Sequence, residues 1–207
     1  MVGAGILRRM LVWINGPFGV GKTAVAADLH RRVPGSVICD PEHVGIGMHR
    51  MLPRSQRGDY QDLPAWRRSV RELLARTLAT YPGPVIAPMT LAEPAYFDEI
   101  IGGLRADGFQ VRHFALMAEP LTVIRRLRKR GLGRTRDSFA LSHLGFCLRQ
   151  LREPAFAEHL WTDGQSVPEI ADTIAGLAGL AILPSADGPV RAQLRLVAIG
   201  LRHIRIT

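Results

Sequence analysis

Short runs of consecutive apolar residues alternate with longer stretches of helical period along most of this chain. Met10–Ile14 is uninterrupted and apolar, the mark of a strand covered on both faces. A glycine-rich turn follows, and Lys22–Val33 has helical spacing through Ala24, Val25, Leu29 and Val33 before Pro34-Gly35 stops it. Ser36–Cys39 is a second short apolar run, closed by Asp40-Pro41, and residues 41–66 are a mixed insert with no clear period. Helical spacing resumes over Trp66–Thr80, and Pro82-Gly83-Pro84 breaks it ahead of a third buried-strand candidate, Val85–Ala87. Tyr96–Ala106 predicts a helix, Asp107-Gly108 a turn, and Val111–Met117 a fourth strand. A basic helix at Leu121–Arg130, a Gly- and Arg-rich stretch at Gly131–Asp137, and a helix near Ser142–Arg152 come next. A weak fifth strand near His159–Thr162 and a helix from Val167 to about Leu180 complete the pattern.

Strands and helices in alternation predict a mainly parallel five-stranded sheet in an α/β, three-layer fold with helices on both faces. We expect one domain over residues 1–183, with Pro184–Pro189 a linker into a tail at 184–207. Two hundred and seven residues suit that plan. No internal repeat or low-complexity tract is visible.

Charge adds a constraint on partners. The chain carries 27 basic against 18 acidic residues, a formal net charge of +9, and only Lys22 and Lys129 among the basic ones are lysines. Such a surplus points to anionic partners without choosing among them. Cys39 and Cys147 have neither framework nor metal-ligand spacing, so buried free thiols in a reducing cytoplasm are the expectation. Ile174–Leu183, the longest uncharged apolar run, is about half of the ~20 residues a membrane span needs. Met1–Arg9 is too short and too weakly apolar for a secretory signal.

The turn after the first strand carries the chemistry. Gly16-Pro17-Phe18-Gly19-Val20-Gly21-Lys22-Thr23 matches G-x-x-x-x-G-K-[ST]. Glycines let successive main-chain N–H groups face phosphate oxygens, and the next helix aims its positive end at the same point. Lys22 adds a point charge on the terminal phosphates and the Thr23 hydroxyl is placed for Mg²⁺. ATP and Mg²⁺ are therefore the expected cofactors. The third strand ends in Pro88-Met89-Thr90, without the carboxylate a motor ATPase or GTPase carries there, and no Asn-Lys-x-Asp guanine reader is present. The architecture expected is that of a small-molecule kinase.

Three further groups are candidates. Asp40 ends the second strand, where carboxyl ends face the binding crevice. It is a candidate to accept a hydroxyl proton or hold Mg²⁺ through water, or else to cap the turn beside Pro41. The cluster Arg125, Arg126, Arg128, Lys129, Arg130, Arg134 and Arg136 is either a solvated basic face or a lid over the phosphates, with Arg126, Arg130 and Arg134 the lid candidates. Val190–Ile206, read as an amphipathic helix, gathers Arg191, Arg195 and Arg202 into one stripe. That stripe lies against a membrane surface or faces water from a helix packed on the domain. Nucleic acid is not expected as a partner, because no aromatic platform is interleaved with the basic residues.

With these residues in place, the chain resembles the ATP-binding tunicamycin resistance (TmrB-like) family. The likeness rests on Trp13–Thr23, Asp40-Pro41-Glu42, Pro64-Ala65-Trp66-Arg67, Pro88-Met89-Thr90, Tyr96–Ile101, His113–Ala118 and His203–Ile206. It spans nearly everything from Met10 onward, which makes Met1–Arg9 an extension or a misplaced start. The resemblance implies a cytoplasmic or membrane-peripheral protein giving resistance to tunicamycin, a nucleoside antibiotic with a fatty tail, and an amphipathic C-terminal membrane contact. It leaves three activities open: phosphoryl transfer to the drug, ATP-dependent capture of it, and a kinase for another small metabolite. An acceptor of that kind suits a carboxylate, an aromatic and a cation in the insert, and Asp62, Trp66 and Arg67 are the candidates there, against ordinary packing for a helix start.

Overall fold

A computed structural model describes residues 9–129 and 135–185. Leu11–Asn15 (β1) is buried along its whole length because it lies inside the sheet. It pairs in parallel with Val85–Pro88 (β3) on one side and with Val111–Met117 (β4) on the other. Val37–Ile38 (β2) adds to β3, and His159–Trp161 (β5) adds to β4, both in parallel. The strand order is β2-β3-β1-β4-β5, with every pairing parallel. An inner strand with neighbours on both edges and helices on both faces has no wet side, which is why Met-Leu-Val-Trp-Ile reads as a continuous apolar run.

Lys22–Arg32 (α1) leaves the turn after β1 and packs on Val167–Ala178 (α8). Arg32 fastens that contact, with Nη1 donating to Asp28 Oδ2 at 2.9 Å and Nη2 donating to Asp172. Arg32 also holds the chain beyond α8, since its Nε donates to Leu183 O and its own carbonyl accepts from Leu183 N, both at 2.8 Å. Ser166 and Glu169 form a reciprocal capping box at the start of α8, and Gly179 closes its end in the left-handed region. The proposed tail at 184–207 and its amphipathic helix lie outside the described residues from position 186 onward.

The mixed insert holds more regular structure than its pattern predicts. Glu42–Met51 (α2) is a helix despite Gly45 and Gly47, which carry poor helix propensity. Tertiary packing accounts for it. A Cβ on Gly45 would stand 2.5 Å from the Tyr60 ring, so the glycine is what lets Tyr60 lie flush on α2. Tyr60–Asp62 forms a single 3₁₀ turn, and Pro64–Thr80 (α3) begins two residues earlier than its period suggests, with Pro64 in the first turn.

Pro94–Phe97 (α4), a π turn over Asp98–Gly102, and Gly103–Ala106 (α5) make the rod ahead of β4. Pro120–Lys129 (α6) follows β4, and Thr135–Gln150 (α7) leads back toward β5. Cys39 is half-buried and Cys147 buried, and both are free thiols. No helix of the described residues is long and apolar enough to cross a membrane.

Candidate nucleotide and acceptor site

The carboxyl ends of β1, β3 and β4 converge on the turn at residues 16–21, and this turn has the geometry of a nest. Gly16, Gly19 and Gly21 all adopt positive φ, at 140°, 85° and 116°. Gly16 is also sterically required, because a Cβ there would come within 2.6 Å of Leu116 O. Lys22 is buried, and its Nζ donates to Gly16 O at 2.9 Å and to Pro17 O at 3.1 Å, so the ammonium is held at the mouth of the loop. Thr23 is half-exposed in the first turn of α1. These residues fit a polyphosphate: amides, a helix N-terminus and one cation meet at a single concavity. Among the described residues no group of three or more His, Cys, Asp or Glu could hold a metal. Mg²⁺ in such sites takes one or two protein oxygens and completes its shell from phosphate and water.

A buried polar hub fixes the loop from behind. Asn15 Oδ1 accepts from Gly16 N at 2.8 Å and from Leu91 N at 2.9 Å, while its Nδ2 donates to Leu91 O at 2.8 Å. The same Nδ2 lies 3.1 Å from His113 Nε2, and His113 Nδ1 lies 3.2 Å from Ala157 O. Those partners assign the neutral tautomer with the proton on Nδ1, so that Nε2 accepts from Asn15. Burial among Phe97 and Phe156 drives the imidazole down to about 4, opposed by its bond to Ala157 O. Thr90 donates to Gly16 O at 2.8 Å and completes the clamp.

Arg126 of α6 braces the far side of the loop. Its Nη1 donates to Val20 O at 3.0 Å and to Thr162 Oγ1 at 2.9 Å, and its Nη2 donates to Thr162 O at 2.9 Å. Burial pulls its guanidinium below the ordinary value, opposed by Asp163. Of the three arginines expected over the phosphates, Arg126 thus bonds the loop's own Val20 O and ties it to the end of β5. Arg130 and Arg134 lie outside the described residues.

Asp40 stands half-exposed just past β2, with Oδ1 accepting from Glu42 N at 2.9 Å. The capping contact and the position at a strand's carboxyl end are both present, so one oxygen serves the start of α2. Trp66 is fully buried, with Nε1 donating to Pro41 O at 3.2 Å. Arg67 is buried too, bonded to Gln61 O and Glu99 and stacked 4.1 Å from the centre of the Tyr96 ring. Both side chains brace the insert.

Asp62 differs, since it lines a cavity of about 230 Å³ next to the loop. Phe18 of the loop forms one wall, Asp59, Asp62, Glu93 and Tyr96 another, and His143, Phe146 and Cys147 of α7 close it opposite. Tyr96 Oη donates to Asp62 Oδ1 at 2.9 Å, and Lys22 Nζ lies 5.5 Å from the Phe18 ring centre. Burial pushes the Asp59 carboxyl up, opposed by the Gln61 N–H and reinforced by Asp62. Burial likewise raises the Cys147 thiol, with Lys22 acting against it.

The sequence reading missed Asp59, Glu93, His143 and the α7 wall because no motif joins them. Asn15, Thr90 and His113 lay inside the segments of family likeness without a role, and Asn15 beside the first loop glycine was the signal available.

Comparison with known proteins gives the family and the fold. The AAA domain family matches residues 11–154. The tunicamycin resistance protein of Deinococcus radiodurans is 34% identical, with 86% of this chain and 100% of that one covered at a TM-score of 0.74. A gluconokinase from Sinorhizobium meliloti 1021 (20% identity, 84% and 95% covered, TM-score 0.60) shares the fold. So does the APS kinase of Mycobacterium tuberculosis, solved with AMPPNP and APS (19% identity, 84% and 99% covered, TM-score 0.56). No curated protein sequence matches the chain.

Proposed function

The chain belongs to the AAA domain family and, within it, to the tunicamycin resistance proteins, and from that premise we propose that it transfers the γ-phosphoryl group of ATP to a hydroxyl of tunicamycin. The observation that carries this reading is the adjacency of the phosphate nest and a separate ring-sized cavity, with Phe18 belonging to both. Two compartments sharing a wall suit two substrates, one polyphosphate and one acceptor.

Bound ATP–Mg²⁺ supplies the phosphoryl group and a divalent charge that offsets its oxygens. Main-chain N–H groups of Phe18, Gly19, Val20 and Gly21 and the Lys22 ammonium would hold the phosphates, while Gly16, whose N–H goes to Asn15, and Pro17, which has none, shape the loop around them. Lys22 leaves its carbonyl partners for phosphate oxygens, a charge-assisted exchange. The Thr23 hydroxyl would hold Mg²⁺. Asp40, with one oxygen capping α2, would use the other to accept the proton of the acceptor hydroxyl or to hold Mg²⁺ through water. Arg126 keeps the loop in register, and Arg130 and Arg134 are the further cations proposed to offset charge on the transferred group. Asp62 meets the acceptor directly, while Trp66 and Arg67 act through the wall they support. The tail provides a peripheral membrane contact near a lipid-tailed drug.

Mass spectrometry of tunicamycin after incubation with protein, ATP and Mg²⁺ tests the reading. A mass increase of one phosphate is the expected result. Unmodified drug that co-purifies with the protein marks ATP-dependent capture instead. Drug that is neither altered nor retained overturns both and leaves a kinase for another small metabolite.

A further inference from the structure

Asp59 belongs to none of the motifs in the sequence, yet it stands on the wall of the cavity beside the phosphate loop. Its placement is specified. Oδ1 accepts from Gln61 N at 2.9 Å and caps the Tyr60–Asp62 turn. Arg67 Nη1 holds that turn from below by donating to Gln61 O at 2.6 Å, and the Tyr60 ring is wedged between α2 and Trp66, 5.4 Å from it between centres. The carboxylate cannot swing away without giving up its main-chain bond. Lys22 and Asp59 both act electrostatically on Cys147, with opposite signs, so the cavity wall feels the loop's cation and this carboxylate together.

The lining narrows the ligand. About 230 Å³ is below the ~300 Å³ at which pockets for drug-sized molecules begin, so one ring enters and the rest of a larger ligand stays outside. Asp59, Asp62 and Glu93 accept hydrogen bonds when ionised and repel anions. Phe18 and Tyr96 add aromatic surface to the lining, of the kind a sugar or nucleobase ring covers, with Arg67 stacked on one face of Tyr96.

We infer that Asp59 is a substrate-binding residue, which accepts a hydrogen bond from a hydroxyl on the single, uncharged ring of the acceptor that enters this cavity. The assignment rests on the acceptor reading above. It is separate from the role given to Asp40, which concerns the transferred group rather than the fit of the ring.

The test titrates tunicamycin into the full-length protein saturated with Mg²⁺ and a non-hydrolysable ATP analogue, for the parent, Asp59→Asn and Asp59→Ala. Drug affinity is expected to fall about tenfold or more in Asp59→Ala and by less in Asp59→Asn, the loss of a charge-assisted hydrogen bond. Affinity for the nucleotide analogue stays within about twofold of the parent, which shows that the loop and fold are intact. If the alanine variant fails to fold, Asp59→Asn decides, because its side-chain oxygen keeps the bond from Gln61 N. Unchanged drug affinity in the folded variants overturns the assignment and leaves phosphoryl transfer standing. No binding of tunicamycin by the parent overturns the acceptor reading and this assignment with it.

Discussion

The two compartments of the site are built in opposite ways. The phosphate nest comes from one contiguous segment, and its supports are buried main-chain and side-chain bonds that converge on Asn15, Gly16 and Lys22. The cavity beside it draws on the loop, the 59–62 turn, the β3–α4 connection and α7, four pieces far apart in sequence. Its carboxylates are half-exposed or exposed. Phosphate is the same ligand in every such protein, so its cradle can be rigid and local. An acceptor differs from protein to protein, and the surface that meets it comes from segments free to vary without disturbing the nest.

The sharpest way to break this comparison is at the nest. Lys22→Ala is expected to lower phosphoryl transfer by on the order of 10³–10⁵, the scale for removing a cation that stabilises the transferring group. Turnover near the parent's would show that the nest is not where ATP reacts. Asp40→Asn is expected to cost about 10²–10⁴ in turnover while the nucleotide still binds, as titration calorimetry beside the kinetic assay would show. Unchanged turnover removes Asp40 from the mechanism and shifts the acceptor chemistry to the cavity wall.

Stability effects sharpen the contrast further. Asn15→Ala leaves Gly16 N, Leu91 N and Leu91 O without their partner in a buried setting, and should destabilise the protein by about 3–4 kcal/mol in denaturant unfolding. A comparable loss from an exposed cavity residue such as Asp62 would erase the distinction between a rigid nest and a tolerant wall.

His113 gives the smallest expected effect and a pH signature. Its folded value, lowered to about 4 from 6.5, keeps the imidazole neutral in the fold while the unfolded chain takes up a proton below 6.5. Its contribution is therefore complete above pH 6.5 and is lost as pH falls from 6.5 to 4, about 3 kcal/mol over that window. Urea unfolding at pH 7, 5.5 and 4.5, with His113→Gln as the reference, measures it. Equal slopes in both proteins would place the acid sensitivity elsewhere.

What could be read in advance follows from range. The five strands, the loop and most helices were legible because periodicity and glycine spacing are local signals. Helix α2 was not, since its glycines argue against a helix until Tyr60, fifteen residues after Gly45, is seen to require one of them. Trp66 and Arg67 were expected at the ligand by residue type, and their bonds to Pro41 O and Gln61 O place them within the wall. Arg126 was expected over the phosphates from its place in a basic run, and its three bonds to Val20 and Thr162 depend on where β5 ends.

By itself, then, the sequence determined the parallel α/β plan and the phosphate cradle, because a buried strand, positive-φ glycines and a lysine at fixed offsets interact through bonds only a few residues long. Tertiary structure alone decided which carboxylates line the cavity beside the loop. Asp59, Glu93 and His143 share a cavity only after three connections have folded back over the same strand ends, and no local preference of any of them encodes that meeting.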